Sequence, residues 1–166
     1  MQILVLILGV CIFAVVAYGD IRTRRIPNEL VVAILTLAAF RIALAGDPSA
    51  ALYTLAASVA LFAATFLLFW RGLLGGGDVK LLVATGFLIG YHDLFQFLFV
   101  MSICGALVAL AVVAHNRLGG AAAAGALEHQ EPPEPPEPPA RLTVPYGVAI
   151  SVAGIVTLLA QSFPPG

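Results

Sequence analysis

The chain has 166 residues, of which 61% are hydrophobic and 10% are charged. A soluble domain carries about 25% charged residues, so this composition excludes a soluble globular protein and a disordered chain. Eight basic and nine acidic side chains leave a formal charge of -1, which argues against nucleic-acid binding. The composition therefore predicts a protein with several membrane-spanning helices.

Six apolar stretches follow one another, separated by charged residues, glycine and proline. Each is expected to be an α-helix, because lipid offers no hydrogen-bond partner to an exposed backbone. We therefore predict an all-α membrane protein with six transmembrane helices, forming one membrane-embedded domain over residues 1–166. The predicted spans are residues 3–19, 30–45, 50–70, 73–90, 94–115 and 144–163.

Lysine and arginine are distributed unevenly among the predicted connections. Seven of the eight basic residues belong to the first, third and fifth connections, and only Arg41 falls on the other side. Because cytoplasmic loops carry the excess of basic residues, these connections are predicted to be cytoplasmic and both termini to be outside. The fifth connection, at about residues 118–142, is a predicted loop rich in glycine and alanine and then in proline and glutamate.

Two of the four aspartates lie where predicted spans reach the cytoplasmic side. Asp20 closes the first apolar stretch, and Asp78 follows three glycines near the start of the fourth. A span that began after Asp78 would keep only about 12 residues, which is too short to cross a bilayer. Asp78 is therefore expected about one turn below the membrane surface, at a depth similar to that of Asp20.

A pair of carboxyl groups in such a place can perform acid–base chemistry. Two carboxyls within a few ångströms hold one proton between them, so one can activate water while the other protonates a leaving amine. Gly75, Gly76 and Gly77 are expected to shape this site by permitting close approach of another backbone. The alternative is structural, with Asp78 as a helix cap and Asp20 as a charged group at a helix end.

The other chemistry-bearing residues suggest no cofactor. The three histidines show no ligand spacing, so no metal ion and no other cofactor is expected. Cys11 and Cys104 lie in separate apolar stretches without a CxxC spacing. They are expected to be buried, unpaired thiols.

Three segments resemble motifs of a known family. The run DIRTRRIPN at residues 20–28 is similar to the first-aspartate motif of bacterial prepilin peptidases. The run GGGDVK at residues 75–80 is similar to the GxGD signature of intramembrane aspartyl proteases, and VPYG at residues 144–147 resembles another recurrent family element. The order of the motifs and the hydropathy pattern are similar over nearly the whole chain.

The resemblance is nearest to the short prepilin peptidases of Tad/Flp pilus systems. It implies an aspartic endopeptidase of the bacterial inner membrane, with Asp20 and Asp78 as catalytic residues and Gly75, Gly76 and Gly77 shaping the site. The implied partners are the lipid membrane and a prepilin or pseudopilin substrate, cut at the cytoplasmic face. Longer members carry an insertion with paired cysteines and also methylate their product, so methyltransferase activity is not expected here.

Other functions remain open at this point. A signal-peptide-peptidase type of GxGD protease would cut inside a span rather than at its edge. A small non-proteolytic transporter would bind a cation at Asp78 on a broken helix. An assembly subunit of a secretion system would tolerate the loss of both carboxylates.

Overall fold

The computed structural model describes residues 2–126 and 146–162, and every regular element in these two ranges is an α-helix. Short connections join the first five helices, and the contacts at their ends show that successive helices alternate in direction. The helices are α1 (Gln2–Thr23), α2 (Asn28–Ala45), α3 (Pro48–Trp70), α4 (Gly76–Ile89), α5 (Leu94–Ala126) and α6 (Tyr146–Ser162).

Most of these helices have the length and composition of membrane spans. Four are long and apolar enough to cross a bilayer: Ile3–Thr23, Asn28–Ala45, Pro48–Trp70 and Leu94–Ala114. Large apolar side chains such as Leu52 and Phe95 are exposed on the outer faces, as lipid contact requires. The molecule is therefore a multi-pass membrane protein whose regular elements, within the described residues, are all helices.

Two helices are shorter than the predicted spans require. Helix α4 has 14 residues and α6 has 17. At 1.5 Å per residue they measure about 21 and 26 Å, whereas the hydrocarbon core of a bilayer is about 30 Å thick. The crossing of the membrane by these two helices, and with it the count of six spans and their orientation, stays a prediction.

Three boundaries differ from the predicted ones. Helix α1 continues beyond Gly19 to Thr23, so Asp20 lies inside the helix rather than at its end. Helix α4 begins at Gly76 rather than near residue 73, because the preceding residues form a turn in which Gly72 has a φ of 72°. Helix α5 continues to Ala126, into the predicted loop, since alanine is the strongest helix former. The rest of that loop lies outside the described residues.

Helix α6 is central to the packing, because it contacts α1, α4 and α5. Helix α4 also packs against α2 and α3. The ring of Phe13 fills the space beside Gly154 and would lie 2.7 Å from a Cβ atom added there. The absence of a side chain at Gly154 therefore lets α1 and α6 approach closely. All six helices contribute buried apolar side chains to the core: Phe13, Ile34, Leu61, Leu81, Phe97 and Ile150.

The two cysteines do not share one environment. Both thiols are unpaired, but Cys11 is exposed and Cys104 is half-buried. The prediction that both are buried was therefore wrong for Cys11. An apolar residue in a membrane helix can point outward, since lipid is as favourable a neighbour as the core.

The end of the bundle that carries Arg41 has its own polar cluster. The guanidinium of Arg41 donates hydrogen bonds to the carbonyl oxygens of Leu88 and Ile89 at the end of α4. The Gln161 amide donates to the Ile89 carbonyl at 2.9 Å and to the Asp93 carboxylate at 2.6 Å. Asp93 is thus a hydrogen-bonded partner rather than the simple turn residue that its position suggests. These contacts attach the end of α4 to both α2 and α6.

Two glycines test the close packing around α6. Gly154→Ala should lower the free energy of unfolding by about 1–3 kcal/mol, because the added methyl group overlaps the buried Phe13 ring. Gly105→Ala is the matched control, since its Cβ atom would lie 3.9 Å from Ala149, an ordinary contact. The melting temperature in detergent should fall for the first variant and hold or rise for the second. Equal behaviour of the two would contradict the described α1–α6 interface.

Candidate active site

Asp20 is held against the first turn of α6. Its side chain is only 5% exposed, although it lies near the end of α1. The backbone N–H of Val148 donates a hydrogen bond to Asp20 Oδ2 at 3.1 Å. A Cβ atom added to Gly147 would lie 2.8 Å from both Cγ and Oδ2 of Asp20. The start of α6 therefore donates a hydrogen bond to the Asp20 carboxyl group. Because Gly147 has no side chain, it also leaves room for that group.

Asp78 lies in the first turn of α4 and is partly buried. Gly75, the residue before the helix, has an extended backbone with φ -74° and ψ 145°. A Cβ atom on Gly75 would lie 2.8 Å from Asp78 Oδ2, so the carboxyl group occupies the space that any other residue would fill. An acidic side chain in the first turn is also favoured by the helix dipole.

The other two glycines of the motif are inside the helix. Gly76 and Gly77 belong to the first turn of α4, and only Gly75 lies before the helix. An added Cβ atom would lie 3.3 Å from the Phe69 ring at Gly76, but 3.5 Å from Ile26 at Gly77. Gly75 is therefore in the most crowded position, Gly76 is tight, and Gly77 has room for a methyl group.

One cavity contains both carboxyl groups. It has a volume of about 390 Å³, and both Asp20 and Asp78 belong to its wall. Polar and basic side chains share the wall with the three glycines. The lining residues are Asp20, Arg24, Arg25, Ile26, Asn28, Gly75, Gly76, Gly77, Asp78 and Lys80.

The cavity suits acid–base chemistry on a bond brought into it. Two carboxyl groups line a common space that is large enough for a short piece of polypeptide; Asp20 is buried and Asp78 is partly buried. Among the described side chains, His, Cys, Asp and Glu do not form groups of three or more that could hold a metal ion. The carboxyl pair is the cavity's most distinctive chemical feature.

Sequence reasoning did not assign a role to Gly147 and Val148. The VPYG segment was noticed only as a family resemblance, and its first two residues lie outside the described residues. The available signal was local: a glycine near the start of a helix offers free N–H groups and no side chain, which together make room for an anion. Nothing in the sequence pattern showed that the anion would be Asp20.

Comparisons with known proteins give one family match. No curated protein and no solved structure matches the chain significantly. The model of the type IV leader peptidase family matches residues 7–110, which include both aspartates and all three glycines of the cavity. The match covers 104 of the 166 residues and ends before α6. The chain therefore belongs to the type IV leader peptidase family.

Proposed function

We propose that the protein is an aspartic endopeptidase that removes the leader of a prepilin or pseudopilin, with Asp20 and Asp78 as the catalytic pair. The observation that carries the proposal is that both carboxyl groups line one cavity. The family supplies the reaction class, a leader peptidase acting on pilin-type proteins. The resemblance to short Tad/Flp enzymes suggests a Flp-like client.

The hydrolysis follows from two carboxyl groups that share one proton. The ionised carboxylate removes a proton from a water molecule, whose oxygen forms a bond to the carbonyl carbon of the client. The protonated carboxyl then gives its proton to the amide nitrogen as the C–N bond breaks. The pair ends with one proton again after the products leave, so it acts catalytically.

The surroundings of the pair position it for this reaction. Val148 N–H fixes the direction of the Asp20 carboxyl group, and Gly147 and Gly75 leave room for the two side chains. Carboxyl groups held in place by packed helices need little rearrangement when a client binds. Such positioning contributes a large part of catalysis when reacting atoms are brought to about 3 Å from one another.

The location of the cavity supports cleavage at the cytoplasmic face. Arg24, Arg25 and Lys80 line the cavity, and Arg71 lies in the adjacent turn between α3 and α4. The basic residue Arg41 lies at the opposite end of the bundle, beside the end of α4. Because cytoplasmic connections are enriched in lysine and arginine, we assign the cavity end to the cytoplasm of the inner membrane.

The proposal covers hydrolysis alone. In the longer relatives implied by the resemblance, methyl transfer accompanies an insertion with paired cysteines. Here Cys11 and Cys104 belong to two different helices, α1 and α5. We therefore expect cleavage without methylation of the new N-terminus.

The carboxyl pair is tested by removing one charge at a time. Asp20→Asn and Asp78→Asn should each lower leader removal from a co-expressed Flp-type prepilin by at least about 100-fold, because either change removes half of the acid–base pair. Processing is read as the shift in prepilin mass. Asp47→Asn is the matched control: Asp47 caps α3 with its side chain, and asparagine caps equally well.

Folding of each variant is checked by its yield and its melting temperature in detergent. Normal processing by a folded Asp20→Asn or Asp78→Asn protein would reject the catalytic pair. Loss of processing in Asp47→Asn would show that the assay responds to general damage rather than to the cavity.

The glycines predict graded effects on catalysis. Gly147→Ala and Gly75→Ala should lower kcat by about 10- to 100-fold, because each added methyl group displaces a carboxyl group by a fraction of an ångström. Gly77→Ala should leave kcat within about twofold, since its methyl group meets Ile26 at an ordinary distance. Cleavage kinetics with purified protein measure the difference. An equal loss in all three variants would contradict the described geometry.

A further inference from the structure

A second cavity lies at the end of the bundle that carries Arg41, and it shares no described lining residue with the cavity of the two aspartates. Its volume is about 330 Å³. We call it the Arg41 pocket. Its walls include Val5 and Leu6 near the start of α1, Arg41 and Leu44 near the end of α2, and Leu158 and Gln161 near the end of α6.

Arg41 brings a positive charge into this pocket, because an arginine side chain stays protonated in proteins. It lies four positions before Ala45, the last residue of α2, and therefore about 6 Å inside the end of a membrane span. Its Nη1 atom donates to the carbonyl oxygens of Leu88 and Ile89. The other guanidinium nitrogens, Nε and Nη2, have no acceptor among the described residues, and Arg41 forms no ion pair with any described carboxylate.

The Asp93 carboxylate does not fill this role. It accepts a hydrogen bond from Gln161 at 2.6 Å. It lines a neighbouring cavity that Arg41 also reaches, but it does not line the Arg41 pocket. Arg41 is thus the one charged residue among the described residues of the pocket wall. Because an uncompensated charge beside hydrocarbon costs free energy, the pocket favours an anionic occupant.

The other walls of the pocket suit a hydrocarbon chain. Val5 and Leu158 are buried, whereas Leu44 is 44% exposed on the outside of α2. The pocket therefore opens beside an apolar surface that faces lipid. A free inorganic anion gains nothing from such walls, but a molecule with an anionic group and an apolar chain is stabilised by both.

We propose that the Arg41 pocket binds one anionic phospholipid, with the lipid phosphate on the Arg41 guanidinium and the first part of an acyl chain against Val5, Leu6 and Leu158. Guanidinium and phosphate form short, charge-assisted hydrogen bonds. Basic pockets between membrane helices bind phospholipid headgroups in other proteins. The site is independent of the proposed peptidase function, because it lies at the opposite end of the bundle from Asp20 and Asp78.

Photolabelling tests the site directly. The full chain is purified in a neutral detergent and labelled with phosphatidylglycerol that carries a photoreactive diazirine on an acyl chain, and the labelled residues are located by mass spectrometry. Labels are expected at the start of α1 and the end of α6. Unlabelled phosphatidylglycerol should displace them at a concentration about tenfold lower than phosphatidylcholine does. Glycerol 3-phosphate, which has the phosphate without the chains, should not displace them at the same concentration.

Two pairs of variants separate the pocket from its surroundings. Ala45→Phe fills the pocket and leaves Arg41 in place, so labelling there should be lost. Ala43→Phe is the matched control, since Ala43 is exposed on the same turn and does not line the pocket. Arg41→Gln should weaken displacement by phosphatidylglycerol about tenfold, and Arg41→Lys, which keeps the charge, about threefold.

Labels at the opposite end of the bundle, where the other basic residues lie, provide an internal reference that none of these variants should change. Melting temperatures in detergent show which variants are folded. If Arg41→Gln fails to fold, Ala45→Phe still tests the site, because it retains the hydrogen bonds from Arg41 to α4.

Each contrary outcome overturns the proposal for a different reason. Equal displacement by phosphatidylcholine and phosphatidylglycerol, or no effect of a folded Arg41→Gln variant, would show an apolar crevice that does not recognise the headgroup. Labelling that persists in Ala45→Phe would place the lipid elsewhere. Displacement by glycerol 3-phosphate would identify a site for a free anion. None of these results bears on the peptidase function, since the assay contains no prepilin.

Discussion

The structure depends on the close packing of helix ends around two carboxyl groups. Asp20 lies against the start of α6, where its carboxyl group fills the space that a side chain at Gly147 would need and accepts a hydrogen bond from the Val148 N–H. Asp78 lies equally close to Gly75 at the start of α4. Withdrawing a carboxyl group from water costs free energy unless hydrogen bonds replace the lost solvent. Two carboxyl groups that lose part of their contact with water in the same cavity are typical of a functional site.

Helix α6 contacts both Asp20 and the helix that carries Asp78. Its first turn contacts Asp20, and near its other end Gln161 donates to the Ile89 carbonyl at the end of α4. Arg41 holds the same end of α4 from α2. Since α4 carries Asp78 at its start, the heights of the two aspartates relative to each other are set by the packing of α4 against α6. The polar contacts of Arg41 and Gln161 at one end of α4 and the cavity at its other end are therefore linked through the packing of α4.

Much of this arrangement could be predicted from the sequence, because the relevant signals are strong and local. Long apolar runs indicate helices in a chain with so few charges, and an aspartate beside such a run is conspicuous because charge is costly in lipid. Asp20 and Asp78 were selected on these grounds alone. Their common cavity agrees with the prediction that they lie at similar depth on one side.

The features that escaped prediction depend on contacts between distant segments. The role of Gly147 comes from Asp20, 127 positions earlier in the chain, and no local pattern indicates that contact. Arg41 looked like an exception to the charge distribution, whereas in the fold it satisfies carbonyl groups of α4. The three glycines looked alike, but their neighbours distinguish them: Asp78 crowds Gly75, while Ile26 leaves room at Gly77.

The most direct test of the central claim is a cross-link between the positions of the two proposed catalytic residues. Cysteines replace Asp20 and Asp78 in a protein whose Cys11 and Cys104 have been changed to alanine, and membranes are treated with a thiol cross-linker that spans about 9 Å, three extended residues. The account predicts rapid cross-linking within one chain for this pair. It predicts none for a control pair at Asp47 and Asp78, because Asp47 caps α3 at the opposite end of the bundle. Failure of the Asp20–Asp78 pair to cross-link, with both thiols shown to be reactive, would contradict a shared cavity.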